Sequence, residues 1–248
     1  MSDTDARTSS GFLKAGAVSL AVIVLIFLAE LIVVVVCGLP PVFGTAQAWL
    51  DALHQNRSLG IVQTFGLDIV AVAFHAPLYV AFYFLLRSHS RGHGTLLLAL
   101  VLSFVGIAVY FATNQTFSML YLSDKLYATA SEIDRARVLA SAETLVAAWN
   151  GTGPIVATNL YGIAGILISM VMLQSRKFRI VMPVLGIVGN ALQLGPPVSL
   201  LPSLYLSIDP ILVGVGGFFL VVWYVALAVR FWKEANGQVE PTESVPRP

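Results

Sequence analysis

Asp68 and His75 stand seven residues apart in GLDIVAVAFHAPLYV (66–80), a run otherwise suited to hydrocarbon. A carboxylate can hold a proton or a cation, and an imidazole can relay a proton near neutral pH. On a helix this spacing puts both on one face, about 10 Å apart along the axis. They are too distant to bond each other, yet both can face one cavity. Glu30 interrupts AGAVSLAVIVLIFLAELIVVVV (15–36) in the same way. A charge at the centre of a membrane helix costs about 2.5–3.5 kcal/mol on the insertion scale, so each of these residues calls for a partner.

The elements that would position them are membrane spans. Hydrophobic residues make up 57% of the 248-residue chain and charged ones only 11%, against the ~25% usual in soluble proteins. Apolar runs of about 20 residues match a hydrocarbon core ~30 Å thick. The expected fold is an all-α transmembrane bundle of six spans, near 15–36, 66–86, 95–112, 152–173, 180–200 and 210–231, in a single membrane domain over 1–232. The first run far exceeds the ~7–15 residues of a signal-peptide core, so it reads as a span. KEANGQVEPTESVPRP (233–248) has too little apolar surface to fold and reads as a disordered tail.

Orientation follows from the basic residues. The N-terminus, the 87–94 and 174–179 loops and the C-terminus hold ten of the fourteen Lys and Arg residues. The other side holds Arg57, Lys125, Arg135 and Arg137. Positive residues favour the cytoplasm, so both termini are expected inside. TAQAWLDAL (45–53) reads as a short interfacial helix. TASEIDRARVLASAETLVAAWNG (129–151) reads as an amphipathic outer helix, opened by Thr129 with Glu132 in capping-box spacing and stopped at Asn150-Gly151.

With that topology the polar residues gather toward the outer side. Asn159 falls in the outer half of span four, Asn190 and Gln193 at or beyond the middle of span five, and Asn114-Gln115 at the outer end of span three. Together with Asp68, Glu30 and His75, the residues Asn159, Asn190 and Gln193 are the candidates to line an outward-opening pocket. Asp209, before Pro210, reads instead as the N-cap of span six. Gly162, Gly165, Gly186 and Gly189 allow close helix approach in spans four and five.

Several chemistries find no support. A zinc site needs three or four ligands, and His75 is the only histidine in an expected span; His54 lies in an outer loop, and His89 and His93 in the RSHSRGHG turn. One cysteine, Cys37, excludes a disulfide framework. There is no Gly-x-Ser-x-Gly elbow and no phosphate-binding loop. Neither a metal nor a cofactor is expected, and a net charge of +1 offers nucleic acid no basic field.

RVLASAETLVAAWNGTG (137–153), LYGIAGILISMVMLQSRKF (160–178) and LGIVGNALQLG (185–195) resemble an uncharacterised family of bacterial six-helix integral membrane proteins, a domain of unknown function. The likeness spans 125–230 and implies the architecture and a bacterial inner membrane, with no activity to carry over. The leading expectation is therefore a small-ligand or proton/cation-linked membrane protein surrounded by lipid. An intramembrane enzyme acting on a lipid through the same carboxylates, and a non-catalytic scaffold whose polar residues only join helices, are the alternatives.

Overall fold

The computed structural model describes residues 3–38, 44–87, 92–175, 177–194 and 202–238. Among the described residues there are ten helices: α1 (Asp3–Cys37), α2 (Ala46–Gln55), α3 (Arg57–Gln63), α4 (Asp68–Leu86), α5 (His93–Thr113), α6 (Thr116–Ala128), α7 (Glu132–Trp149), α8 (Thr152–Ser175), α9 (Val181–Leu192) and α10 (Pro202–Ala235). No strand occurs among the described residues. Five helical stretches among the described residues are long and apolar enough to cross a membrane: Thr8–Cys37, Asp68–Leu86, His93–Ala128, Ile155–Ser175 and Gly214–Ala235. Their exposed side chains suit lipid, as Leu25, Ile32, Val35 and Val36 do on α1 and Phe218 on α10.

The expected fifth span is shorter than its hydropathy implied. α9 has 12 residues, about 18 Å at 1.5 Å per residue, and 195–200 lie outside the described residues. So do His89, Pro196-Pro197 and the tail from residue 239. α10 already begins at Pro202, so Asp209 sits within a helix and not at its N-cap. The cap of α7 also differs from expectation: Ser131, not Thr129, accepts from the Asp134 amide, while the stop at Asn150 falls as expected. Val138, Ala142 and Trp149 are the buried side chains of α7.

The chain divides into two compact units. One comprises 1–24, 74–107 and 157–248, the other 25–73 and 108–156. In the first, the core is aromatic and aliphatic. Phe82 stacks on Trp223 (6.0 Å) and meets the edge of Phe231 (5.1 Å), with Leu20 and Leu78 buried too. Its helix ends are tied together by Ser10 Oγ donating to the Ala235 carbonyl (2.8 Å) and Lys177 Nζ to the Leu85 carbonyl (3.0 Å). Phe12 stacks on Phe84, and the Arg87 guanidinium lies 4.5 Å over the same ring.

The second unit holds the short helices. α2 buries Ala46, Trp49, Leu50 and Leu53, one face of a helix whose N-cap is Thr45. Ser123 on α6 donates to the Leu50 carbonyl (2.7 Å), and the His54 ring stacks on Tyr127 at 3.6 Å. α3 is capped by Asn56, whose Oδ1 accepts from the Leu59 amide at 3.0 Å. Asn56→Ala removes that acceptor and is expected to cost about 1 kcal/mol, seen as faster amide exchange across 57–63 before the remainder of the unit loosens.

Candidate functional site

The feature that concentrates chemistry lies in the second unit, where α1, α4 and α5 bring Glu30, Asp68, Tyr110 and Asn114 into one hydrogen-bonded chain. Glu30 is only 9% exposed although it sits in a lipid-length helix. Its carboxyl faces that of Asp68, and its buried Oε1 accepts from no protein donor. Asp68 is half-buried in the first turn of α4, where free amides favour a negative group. Tyr110 donates its hydroxyl hydrogen to Asp68 Oδ2 at 2.9 Å.

Asn114 fixes the direction of this chain. Its Nδ2 donates to the Phe65 carbonyl (3.1 Å) and to Tyr110 Oη (3.4 Å), and its Oδ1 accepts from the Thr116 amide (3.1 Å). A carbonyl can only accept and an amide N–H only donate, so the side-chain amide has one possible orientation. The hydrogens therefore run from Asn114 to Tyr110 to Asp68.

The Phe65 carbonyl is held in place by an unusual turn. Phe65 adopts φ +58°, the left-handed region. It ends α3 in a Schellman arrangement, with the Gly66 amide bonded to the Ile61 carbonyl (2.8 Å) and the Phe65 amide to that of Val62 (3.2 Å). Glycine normally fills this position, and a bulky residue there costs about 1–2 kcal/mol. Gly66 follows where a Cβ would fall 2.6 Å from the Ile61 side chain. Thr116 Oγ1 donates to the Thr64 carbonyl (2.6 Å), fastening the turn to the start of α6. Trp149 lies against both the Phe65 and the Tyr110 rings, each centroid 6.2 Å away, and meets Trp49 edge-on.

The other expected site residues belong to the first unit. His75 packs among Tyr161 (5.5 Å), Tyr79 (6.0 Å) and Tyr224 (6.3 Å). Asn190 is 5% exposed, donates to the Gly186 carbonyl (2.7 Å) and rests on the bare backbone at Gly165. Gln193 caps α9 near Gly216. Asn159 Oδ1 is buried without a hydrogen-bond partner. The structure thus places Glu30 beside Asp68 and gives His75, Asn190 and Gln193 surroundings of their own. Sequence reasoning missed Tyr110, although Tyr110 and Asn114, four apart at the end of a span, share a helix face.

Among the described residues no group of three His, Cys, Asp or Glu side chains is placed to hold a metal ion. The arrangement is a buried acidic pair whose available donors are spent on one of its members. A multi-pass helical membrane protein is the class that these helices define. Residues 14–233 match the family described as a domain of unknown function, DUF4386, and the chain belongs to that family. No curated protein and no solved structure matches it.

Proposed function

We propose that the protein is a proton- or cation-linked membrane protein whose working element is the Glu30–Asp68 pair. The observation that carries this reading is two carboxyls facing each other in a buried setting, one of them with an oxygen that no protein donor reaches. Two carboxyls bonded to each other need a proton between them, since a carboxylate only accepts. Tyr110 donates to Asp68, which makes Asp68 the acceptor and Glu30 the holder of that proton.

The topology that goes with this reading has six crossings and both termini in the cytoplasm of a bacterium. Arg179, before α9, and Lys233, at the end of α10, are then both inside, which requires two crossings between them. α9 lies in one of them and α10 supplies the other. Glu30 near the far end of α1, Asp68 at the start of α4 and Tyr110 near the end of α5 all lie toward the outer side, with lipid around the bundle. α7 would then lie outside as an amphipathic helix, with the C-terminus on the cytoplasmic side.

The test is thermal unfolding of the detergent-solubilised protein across pH, for wild type, Glu30→Gln and Asp68→Asn. Glu30→Gln keeps a donor toward Asp68, so it is expected to fold and to flatten the pH dependence that proton linkage creates. Asp68→Asn should flatten it as well. A wild-type profile unchanged in both variants would remove the proposal.

A further inference from the structure

We infer that the furrow between α1 and α10 holds one anionic phospholipid of the surrounding bilayer. Its phosphate lies toward Lys14 and Lys233, and an acyl chain runs along the alanines of the two helices. The site is apart from the acidic pair and does not depend on how that pair works.

Ala17, Val18 and Ala21 of α1 face Ala228, Val229 and Trp232 of α10 across a groove of about 390 Å³. Ala17 is buried, while Val18, Val229 and Trp232 are each half exposed. Short side chains flanked by larger ones thus leave a furrow open to lipid. Both stretches belong to the first unit and to helices long and apolar enough to cross a membrane. The bond from Ser10 Oγ to the Ala235 carbonyl sets the start of α1 beside the end of α10. The furrow therefore ends at one membrane surface, where the Trp232 ring suits the headgroup level.

That end is basic and carries donors. Lys233 lines the furrow, and exposed Lys14 stands a turn before Ala17 and Val18 on the same face of α1. Neither lysine forms an ion pair among the described residues. The nearby Glu234 carboxylate is taken by Arg230 at 3.0 Å, so it offsets neither charge. Just past α10 the chain turns back at Gly237, φ +66°. The Gly237 amide bonds to the Glu234 carbonyl (3.1 Å) and the Gln238 amide to that of Lys233 (2.9 Å). This turn brings Gln238 to the furrow, adding carboxamide N–H groups that a phosphate can accept from.

Charge selects the occupant. An anionic headgroup matches two unpaired ammonium groups, whereas a zwitterionic one adds an ammonium of its own. A second copy of the chain is disfavoured for the same reason. Copies in one membrane share an orientation, so a two-fold contact here would set the lysines of both at one depth.

The experiment uses the full-length protein in phosphatidylcholine vesicles. Either phosphatidylglycerol or phosphatidylcholine, brominated near the carbonyl end of its chains, is added at increasing mole fraction, and tryptophan quenching is read. Trp232 is the exposed reporter at 50%, while Trp49, Trp149 and Trp223 are at most 8% exposed. The expected result is saturable quenching by phosphatidylglycerol at a mole fraction at least ten-fold below that needed with phosphatidylcholine. Lys14→Gln and Lys233→Gln should each reduce the preference roughly five-fold. Ala21→Leu with Ala228→Leu keeps both charges, fills the furrow and should abolish the preference, with circular dichroism showing that each variant folds. In Trp232→Phe the lipid-dependent quenching should disappear.

Equal quenching by the two lipids in the wild type overturns the inference, whether the furrow takes any lipid or a second copy covers it. A preference that survives the filled furrow also overturns it, since diffuse attraction to surface charge then suffices. Quenching that persists in Trp232→Phe places the lipid elsewhere and rejects this site.

Discussion

Gly165→Leu is expected to lower the thermal stability of the detergent-solubilised protein more than any single change to the acidic pair. A Cβ at this position falls inside the van der Waals envelope of the Asn190 carboxamide. Asn190 cannot step aside, because it is 5% exposed and bound to the Gly186 carbonyl at 2.7 Å. Overpacking of this kind costs about 1–3 kcal/mol for a methylene or two, and leucine adds more volume than that. Either α8 and α9 separate or the amide hydrogen bond breaks, so about 3 kcal/mol or more is the expected loss. Gly94→Ala is the internal control, since a Cβ there meets nothing within 4 Å. It lies in the first turn of α5, where alanine should be neutral or stabilising by up to about 1 kcal/mol. Equal effects from the two substitutions would show that α8 and α9 do not pack as described.

Trp49→Ala should be comparably severe in the other unit, costing about 3–5 kcal/mol, as truncating a fully buried aromatic residue does. Trp49 has no exposed surface and meets Trp149 edge-on at 6.2 Å. Trp149 in turn lies against the rings of Phe65 and Tyr110. The loss therefore reaches the hydrogen-bonded chain through two ring contacts, and the pH dependence of unfolding should broaden together with the fall in midpoint. Trp49→Phe retains much of the buried area and should recover most of the stability. A mild Trp49→Ala phenotype would mean that the short helices add little to this unit.

Much of the fold could be read from composition because a lipid-length apolar run has few other uses. The edges were harder wherever two signals competed. Thr129 with Glu132 satisfies a capping-box spacing, but Ser131 is the hydroxyl placed in extended backbone directly before the helix. Asp209-Pro210 looks like a helix start, yet the backbone is already helical from Pro202. α2 was legible because Thr45 and the apolar spacing of Ala46, Trp49, Leu50 and Leu53 agree. α3 and α6 were not, being short and of mixed polarity.

At the site, the sequence marked Glu30 and Asp68 through the cost of placing a carboxyl in hydrocarbon. It could not show that they meet, because helices brought together by tertiary packing leave no trace in the spacing of residues 38 positions apart. Spacing within one helix was equally poor at separating environments. Asp68 and His75 share α4, but His75 is surrounded by tyrosines while Asp68 pairs with Glu30. Tyr110 carries no signal of its own, because a tyrosine near the end of a span usually anchors to the interface.

The fixed orientation of Asn114 has a kinetic consequence. A carboxamide nitrogen keeps its hydrogens, so a proton cannot hop through Asn114 as it would through water or imidazole. The chain from the Phe65 carbonyl to Asp68 therefore ends blind at Asn114. Tyr110 and Asn114 thus hold Asp68 in place without passing it protons from the Phe65 turn.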